Sequence, residues 1–307
     1  MKSAKRQAFV AKKAKVGKKK FPILKFLIPL ILILVFYLFV KLNTHIWNGK
    51  DKVSVVFMEG PDVVVTVLDP MMSEVTTLVI PGDTQVDISR NYGTFRIKNV
   101  WQLGINEKVG GSLLTETVTQ NFLFPVFLWS EKSPGLGSKN VSDIFRFVFF
   151  PGKTNISICD RAHMVLFTLK VQEMGRSVID LGKSHFLDKK ILNDGQVGYV
   201  TTGTISQRLT IYFTDNEVGG ADLKVNITDE TGSPGVAEKL GEILQVVGGK
   251  VVSVDKKSVS EDGDCEVSGI NKPMVKKIAN LFSCKTMTTK TSFDLDIKVG
   301  KKFAERF

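Results

Sequence analysis

Residues 222–254 read DLKVNITDETGSPGVAEKLGEILQVVGGKVVSV, and their pattern sets the fold class. Residues 223–228 have the Val, Ile and Thr content of a strand. In the turn Thr231-Gly232-Ser233-Pro234, Ser233 is expected to cap a helix with Pro234 at its first position. Val236, Leu240, Ile243 and Val247 then recur at steps of four, three and four, which makes one apolar helix face. Gly248-Gly249 ends that helix, and residues 250–254 are the next strand. A second unit follows, with a strand over 264–268, a helix over 272–282 and strands near 285–289 and 293–299. Strand–helix–strand twice over predicts a small α/β domain spanning 221–305.

Upstream of a short linker at Asn216–Gly220 the pattern is that of a larger mixed domain over 50–215. Residues 53–58, 62–68 and 74–80 are short strand-like runs broken by Gly60-Pro61 and Asp69-Pro70, and Pro81-Gly82 closes the third. Residues 84–88 alternate polar and apolar positions. Gly110-Gly111-Ser112 opens a helix in which Leu113, Leu114, Thr117, Val118 and Asn121 recur at three and four. Strand character returns at 124–129, and residues 131–140 have the composition of a surface loop. Helices are predicted over 141–150 and 160–174, the second apolar over most of its circumference, as a buried helix is. Strands over 196–202 and 207–213 finish the domain.

The N-terminus has a different character. Residues 1–20 hold nine Lys and Arg and no acid, and residues 21–40 are apolar apart from Lys25. A bilayer core of about 30 Å takes ~20 apolar residues, and the positive flank keeps its end in the cytoplasm. The expectation is a basic cytoplasmic tail over 1–20 and an uncleaved transmembrane anchor over 21–41, with a stalk carrying Trp47 at the interface. The fold class expected for the whole is therefore one transmembrane helix followed by two extracytoplasmic α/β domains.

Of the formal charge of +11, only +2 remains once the tail is set aside. The basic balance therefore points to a membrane surface, and nucleic acid is not an expected partner. Cys159, Cys265 and Cys284 have no C-x-x-C spacing. Cys265 and Cys284 either pair as a disulfide outside the membrane or remain two buried thiols. Gly182-Lys183-Ser184 lacks the earlier glycine of a phosphate loop, since Ser177 stands there. His45, His163 and His185 form no metal-ligand set, and no G-x-S-x-G elbow is present.

From Asp222 to Phe303 the chain resembles the LytR C-terminal domain: the turn at Thr231–Gly235, the helix ending at Gly248-Gly249, and the Val-Gly-x-x-Phe finish at Val299 to Phe303 carry the likeness. The upstream domain is similar to the LytR–CpsA–Psr family in weakened form. Asp62 precedes an apolar strand, Thr77 to Thr84 resembles the family's Ser-Ile-Pro-Arg-Asp-Thr, and Lys98-Asn99 and Gly110-Gly111 fall in order. The resemblance implies a bacterial cell-envelope protein whose partners are the membrane, a cell-wall or envelope glycopolymer and a polyprenyl-phosphate lipid. It also implies a divalent metal such as Mg2+, with Asp62 and Asp83 as its ligands.

One departure bears on the chemistry. The family's arginine before the aspartate is Gly82 here. Guanidinium forks bind pyrophosphate oxygens in pairs, so that loss removes a contact that transfer requires. Arg90 and Arg96 are the candidates to replace it, and Arg161 falls near the helix expected to carry the family's later arginines. Two functions are expected from this: a non-catalytic binder or organiser of envelope glycopolymer, or an active metal-dependent transferase of glycopolymer from its lipid carrier.

Overall fold

The structure is a computed structural model that describes residues 23–42, 46–192, 194–202, 207–215, 219–220, 222–288 and 291–307. The chain divides into two compact units, residues 1–44 and 45–307. In the first, α1 (Ile23–Leu42) is a helix containing Pro29. Its described side chains, at residues 28–37, are exposed. Among the described residues no helix is long and apolar enough to cross a membrane. The basic tail lies outside the described residues.

Among the described residues the second unit is a mixed α/β fold with three sheets. β1 (Val53–Glu59), β2 (Asp62–Asp69) and β3 (Glu74–Ile80) form an antiparallel meander. Glu59 pairs with Asp62 across a two-residue turn. Gly60 sits there at φ +62°, a left-handed value that glycine takes without a steric cost. The turn between β2 and β3 is tied by Asp69, whose carboxylate accepts the N–H groups of Met71 and Met72. β6 (Leu128–Ser130) joins parallel to β1 and β7 (Arg176–Asp180) parallel to β3, giving the order β6-β1-β2-β3-β7. β2 is buried from Val63 to Asp69 because both faces of this sheet are covered.

On one face Val63, Val65 and Val67 pack with α3 (Ser112–Phe122), whose Leu113, Leu114, Val118 and Phe122 are fully buried. On the other, Val55, Leu68 and Val75 pack with α4 (Val141–Phe149) and α5 (Ile158–Lys170). A second sheet has the order β5-β4-β9-β8, from β4 (Thr84–Ile88), β5 (Gly93–Arg96), β8 (Leu187–Ile191) and β9 (Val197–Thr201). α2 (Val100–Asn106) lies between β5 and α3 in the chain.

The third sheet belongs to the last part of the chain. β10 (Lys224–Glu230) runs parallel to β11 (Lys250–Lys256) and to β14 (Leu295–Gly300). β12 (Cys265–Gly269) is antiparallel to β14 and carries the two-residue β13 (Lys285–Thr286) at the edge. α7 (Val236–Val247) and α8 (Lys272–Phe282) supply its buried apolar layer, and α9 (Lys301–Arg306) follows β14. Cys265 and Cys284 are joined as a disulfide that ties β12 to the end of α8. One apolar cluster runs from Val56 to Phe303, so the core is shared along the unit.

Several local expectations are corrected. Residues 207–213 form a helix, α6 (Gln207–Phe213). Alternation suggested a strand, but Leu209 and Phe213 are buried four apart while Ile211 faces out. Phe213 stacks on Phe124 at 4.5 Å, a contact that fixes the helical register. α5 is not buried all round: Met164, Val165 and Thr168 face inward, whereas Leu166 and Leu169 are exposed. The cap of α7 is Gly235 at φ +86°, and Pro234 stays outside the helix. Thr231 instead accepts the Ser233 N–H and donates its hydroxyl to Asp229. In the expected surface loop Leu136 is fully buried.

The stalk reading also fails at Trp47. Its ring is buried and packs edge-on against Phe167 of α5 at 6.0 Å. Its indole N–H donates to the Asp51 carbonyl at 2.7 Å. The backbone N–H groups of Ile46 and Trp47 both donate to the buried carboxylate of Asp160. The chain is therefore held by the folded unit from Ile46 onward.

Candidate functional site

Asp62 opens β2, and Gly82 and Asp83 lie in the turn between β3 and β4. The Asp62 carboxylate accepts the Gly82 N–H at 2.7 Å, which brings the two segments together. Lys98 follows β5 and donates its backbone N–H to the Gly82 carbonyl at 3.2 Å. A Cβ on Gly82 would sit 2.1 Å from the Pro61 carbonyl oxygen. No side chain fits there while the hairpin turn keeps its place, so glycine at this position is a packing requirement.

The cations around Asp83 come from elsewhere. Arg96, at the end of β5, and Lys98 both donate to one oxygen of Asp83 at 2.7 Å. Arg96 also donates twice to Asp194, in the turn between β8 and β9, at 2.9 and 3.1 Å. The Asp83 carbonyl accepts the Tyr199 N–H of β9, which fixes the backbone of the cluster. Hydrogen bonds from Lys98 and then Arg96 hold the Asp83 carboxyl below the ordinary range. Asp194 is held low first by the Gln196 backbone N–H and then by Arg96.

Two carboxylates and two cations leave this cluster neutral. The Arg96 side chain is only 11% exposed, and three of its five N–H donors go to carboxylates. An incoming pyrophosphate would compete with Asp83 and Asp194 for it. Mg2+ is commonly held by one or two carboxylates together with waters. One Asp83 oxygen faces two cations and one Asp62 oxygen holds a backbone N–H, and among the described residues no three His, Cys, Asp or Glu side chains converge on a metal position. The second oxygen of each carboxylate is what the pair could offer a divalent cation.

Two other expected arginines are not brought to this cluster. Arg90 lies in the turn beyond the far end of β4, where it makes a bidentate pair with Glu116 of α3 at 2.7 Å. Arg161 points from α5 to the Phe147 and Val148 carbonyls at the end of α4, at 2.8 and 2.9 Å. Those carbonyls are the negative end of a helix and solvate a half-buried cation.

Among solved structures the chain is similar to TagT of B. subtilis, at 16% identity and a TM-score of 0.38, over 53% of this chain and 89% of that one. It is similar to the LytR-CPS2A-psr family protein YwtF (TagT) with bound octaprenyl pyrophosphate lipid, at 15% identity and TM-score 0.37, over 53% and 89% of the two chains. A protein from Listeria innocua is 13% identical at TM-score 0.36, over 50% of this chain and 92% of that one. No protein-family model and no curated protein sequence matches the chain. Likeness at this level assigns no family.

A cleft that the sequence did not announce adjoins α3. It has a volume of about 170 Å³ and is lined by Thr115, Glu116, Trp129, Asn155, Asn280 and Arg306 among others. A second hollow of about 240 Å³ shares Ile46, Phe127 and Asn280 with it and adds Lys52 and Lys276. Trp129 is held in place against Gly111, where a Cβ would meet its ring at 2.3 Å, and by the Asn155 side chain at 2.8 Å. Glu116 is paired with Arg90, Arg306 with Asp264, and the Asn155 amide donates to the Phe127 carbonyl, so the Trp129 ring and the Asn280 amide are what the cleft offers a hydroxyl-rich chain. These residues come from five separate segments, so no local spacing could reveal them.

Proposed function

We propose that the protein is a non-catalytic envelope protein that binds or organises a cell-wall or envelope glycopolymer, held at the membrane by its apolar N-terminal run. The observation that carries this reading is the closed state of the Asp83 cluster. Gly82 has no room for an arginine, and Arg96 is committed to Asp83 and Asp194. The aromatic and amide-lined cleft supports polymer binding, and the motif resemblance at residues 77–84 and 222–303 supports an envelope setting.

Passing labelled wall fragments and a polyprenyl-phosphate over the purified protein tests it. Retention of the fragments, weakened in Asn280→Ala and Arg306→Ala, is the expected result. No retention of either material overturns the reading.

A second reading, transfer of glycopolymer from a polyprenyl-pyrophosphate carrier, draws on one observation. Lys98 is half-exposed beside Asp83 and offers a cation where the resembling family has its arginine. That reading requires release of carrier that is lost in Asp83→Ala.

A further inference from the structure

The layer formed by α4 and α5 is apolar on two sides. Ile144, Phe147, Met164 and Val165 face the first sheet. On the outside, Phe145, Phe149 and Phe150 are 55%, 58% and 65% exposed. Phe145 packs on Phe149 at 5.0 Å and on Phe150 at 6.3 Å. Leu166 and Leu169 of α5 are exposed as well. Single exposed apolar residues are ordinary, but a contiguous aromatic cluster marks a contact surface.

Charge indicates what covers it. Between residues 131 and 175 the exposed charged side chains are Lys132, Arg146, Lys153, Lys170 and one acid, Glu173, which pairs with Lys139. The other acids of this stretch, Glu131, Asp143 and Asp160, are buried or half-buried. Phenylalanines bordered by cations match the headgroup boundary of an anionic bilayer. The chain also enters the folded unit here, through Ile46 and Trp47 on Asp160 of α5. Three residues separate Ile46 from Leu42 at the end of α1. On the anchored reading, the folded unit therefore begins only a few residues along the chain from the apolar run.

We propose that the outer face of α4 and α5 rests on an anionic bilayer surface as a second, peripheral contact. The inference builds on the anchored reading above. To test it, the full chain is placed in nanodiscs of phosphatidylcholine alone and of phosphatidylcholine with phosphatidylglycerol, and hydrogen exchange is followed over residues 141–150 and 158–170. The anionic lipid is expected to slow exchange there at least about five-fold. The double substitution F145S/F149S is expected to abolish the difference while incorporation persists.

Equal exchange in the two lipids overturns the proposal. Protection that needs no lipid and rises with protein concentration also overturns it, because a second copy is then the occupant. A chain that does not enter nanodiscs refutes the anchor instead. The face is then read by adding preformed phosphatidylglycerol vesicles: protection supports the proposal and its absence overturns it.

Discussion

The Pro61 carbonyl oxygen lies 2.1 Å from the point where a side chain on Gly82 would begin. That approach links the hairpin between β1 and β2 to the turn before β4, and it is reinforced by Asp62 accepting the Gly82 N–H. The closed cluster at Asp83 is built on this contact.

Gly82→Ala is therefore expected to destabilise the fold by about 1–3 kcal/mol, the range for overpacking against groups that cannot move away freely. Urea denaturation measures it. A Gly82→Arg protein as stable as the parent would show that the turn yields, and would reopen the site to the missing guanidinium.

Asp83 supplies a pH signature. Its carboxyl is held below the ordinary carboxylate range by hydrogen bonds from Lys98 and then Arg96. A depressed carboxyl stabilises the fold above the unfolded pKa of about 3.9, and that contribution is lost as pH falls through the lower folded value. Carboxyl NMR is expected to show Asp83 titrating low, and Lys98→Met to raise it while leaving Asp194 low. An unchanged Asp83 in Lys98→Met would break the assigned cause.

Trp47 and Asp160 tie the start of the folded unit to α5. Trp47→Ala is expected to cost about 3–5 kcal/mol, as for other buried aromatics truncated in a core. Asp160→Ala strands the Ile46 and Trp47 N–H groups and is expected to cost about 1–3 kcal/mol. Denaturation curves of the two variants check both, and a Trp47→Ala change near zero would restore the stalk reading.

The Cys265–Cys284 disulfide closes a sequence separation of 19 residues. Loop-closure entropy gives about 3 kcal/mol for a loop of this size. Reduction, or a Cys265→Ser/Cys284→Ser protein, is expected to lower the stability of the third sheet by that order. Thermal unfolding with and without reductant measures it, and coincident curves would remove the bond from the account.

Sequence pattern located the strands best where burial is two-sided. The runs expected at 53–58, 62–68 and 74–80 are strands Val53–Glu59, Asp62–Asp69 and Glu74–Ile80. The helix expected over 272–282 is α8, whose first turn Asn271 caps by accepting the Met274 N–H. Short elements escaped. α6 alternates like a strand because only two of its apolar residues need burial, and β5, β7 and β8 carry too few apolar residues to announce themselves.

The site was legible in part. Arg96 reaches Asp83, and Asp62 accepts the N–H of the neighbouring Gly82. The roles did not follow, because Asp194 lies 98 residues from Arg96 in the chain and only tertiary structure brings it close. Arg90 is close to Asp83 in the chain, but β4 carries it to the opposite end, where it pairs with Glu116.

The most direct test places the purified full chain with a polyprenyl-pyrophosphate-linked glycopolymer and wall fragments, in the presence of Mg2+ or Mn2+, and follows binding and carrier release together. Retention of polymer with no carrier release is the result expected of a binder whose Arg96 is held by two carboxylates. Carrier release that disappears in Asp83→Ala would contradict it and make the protein a transferase.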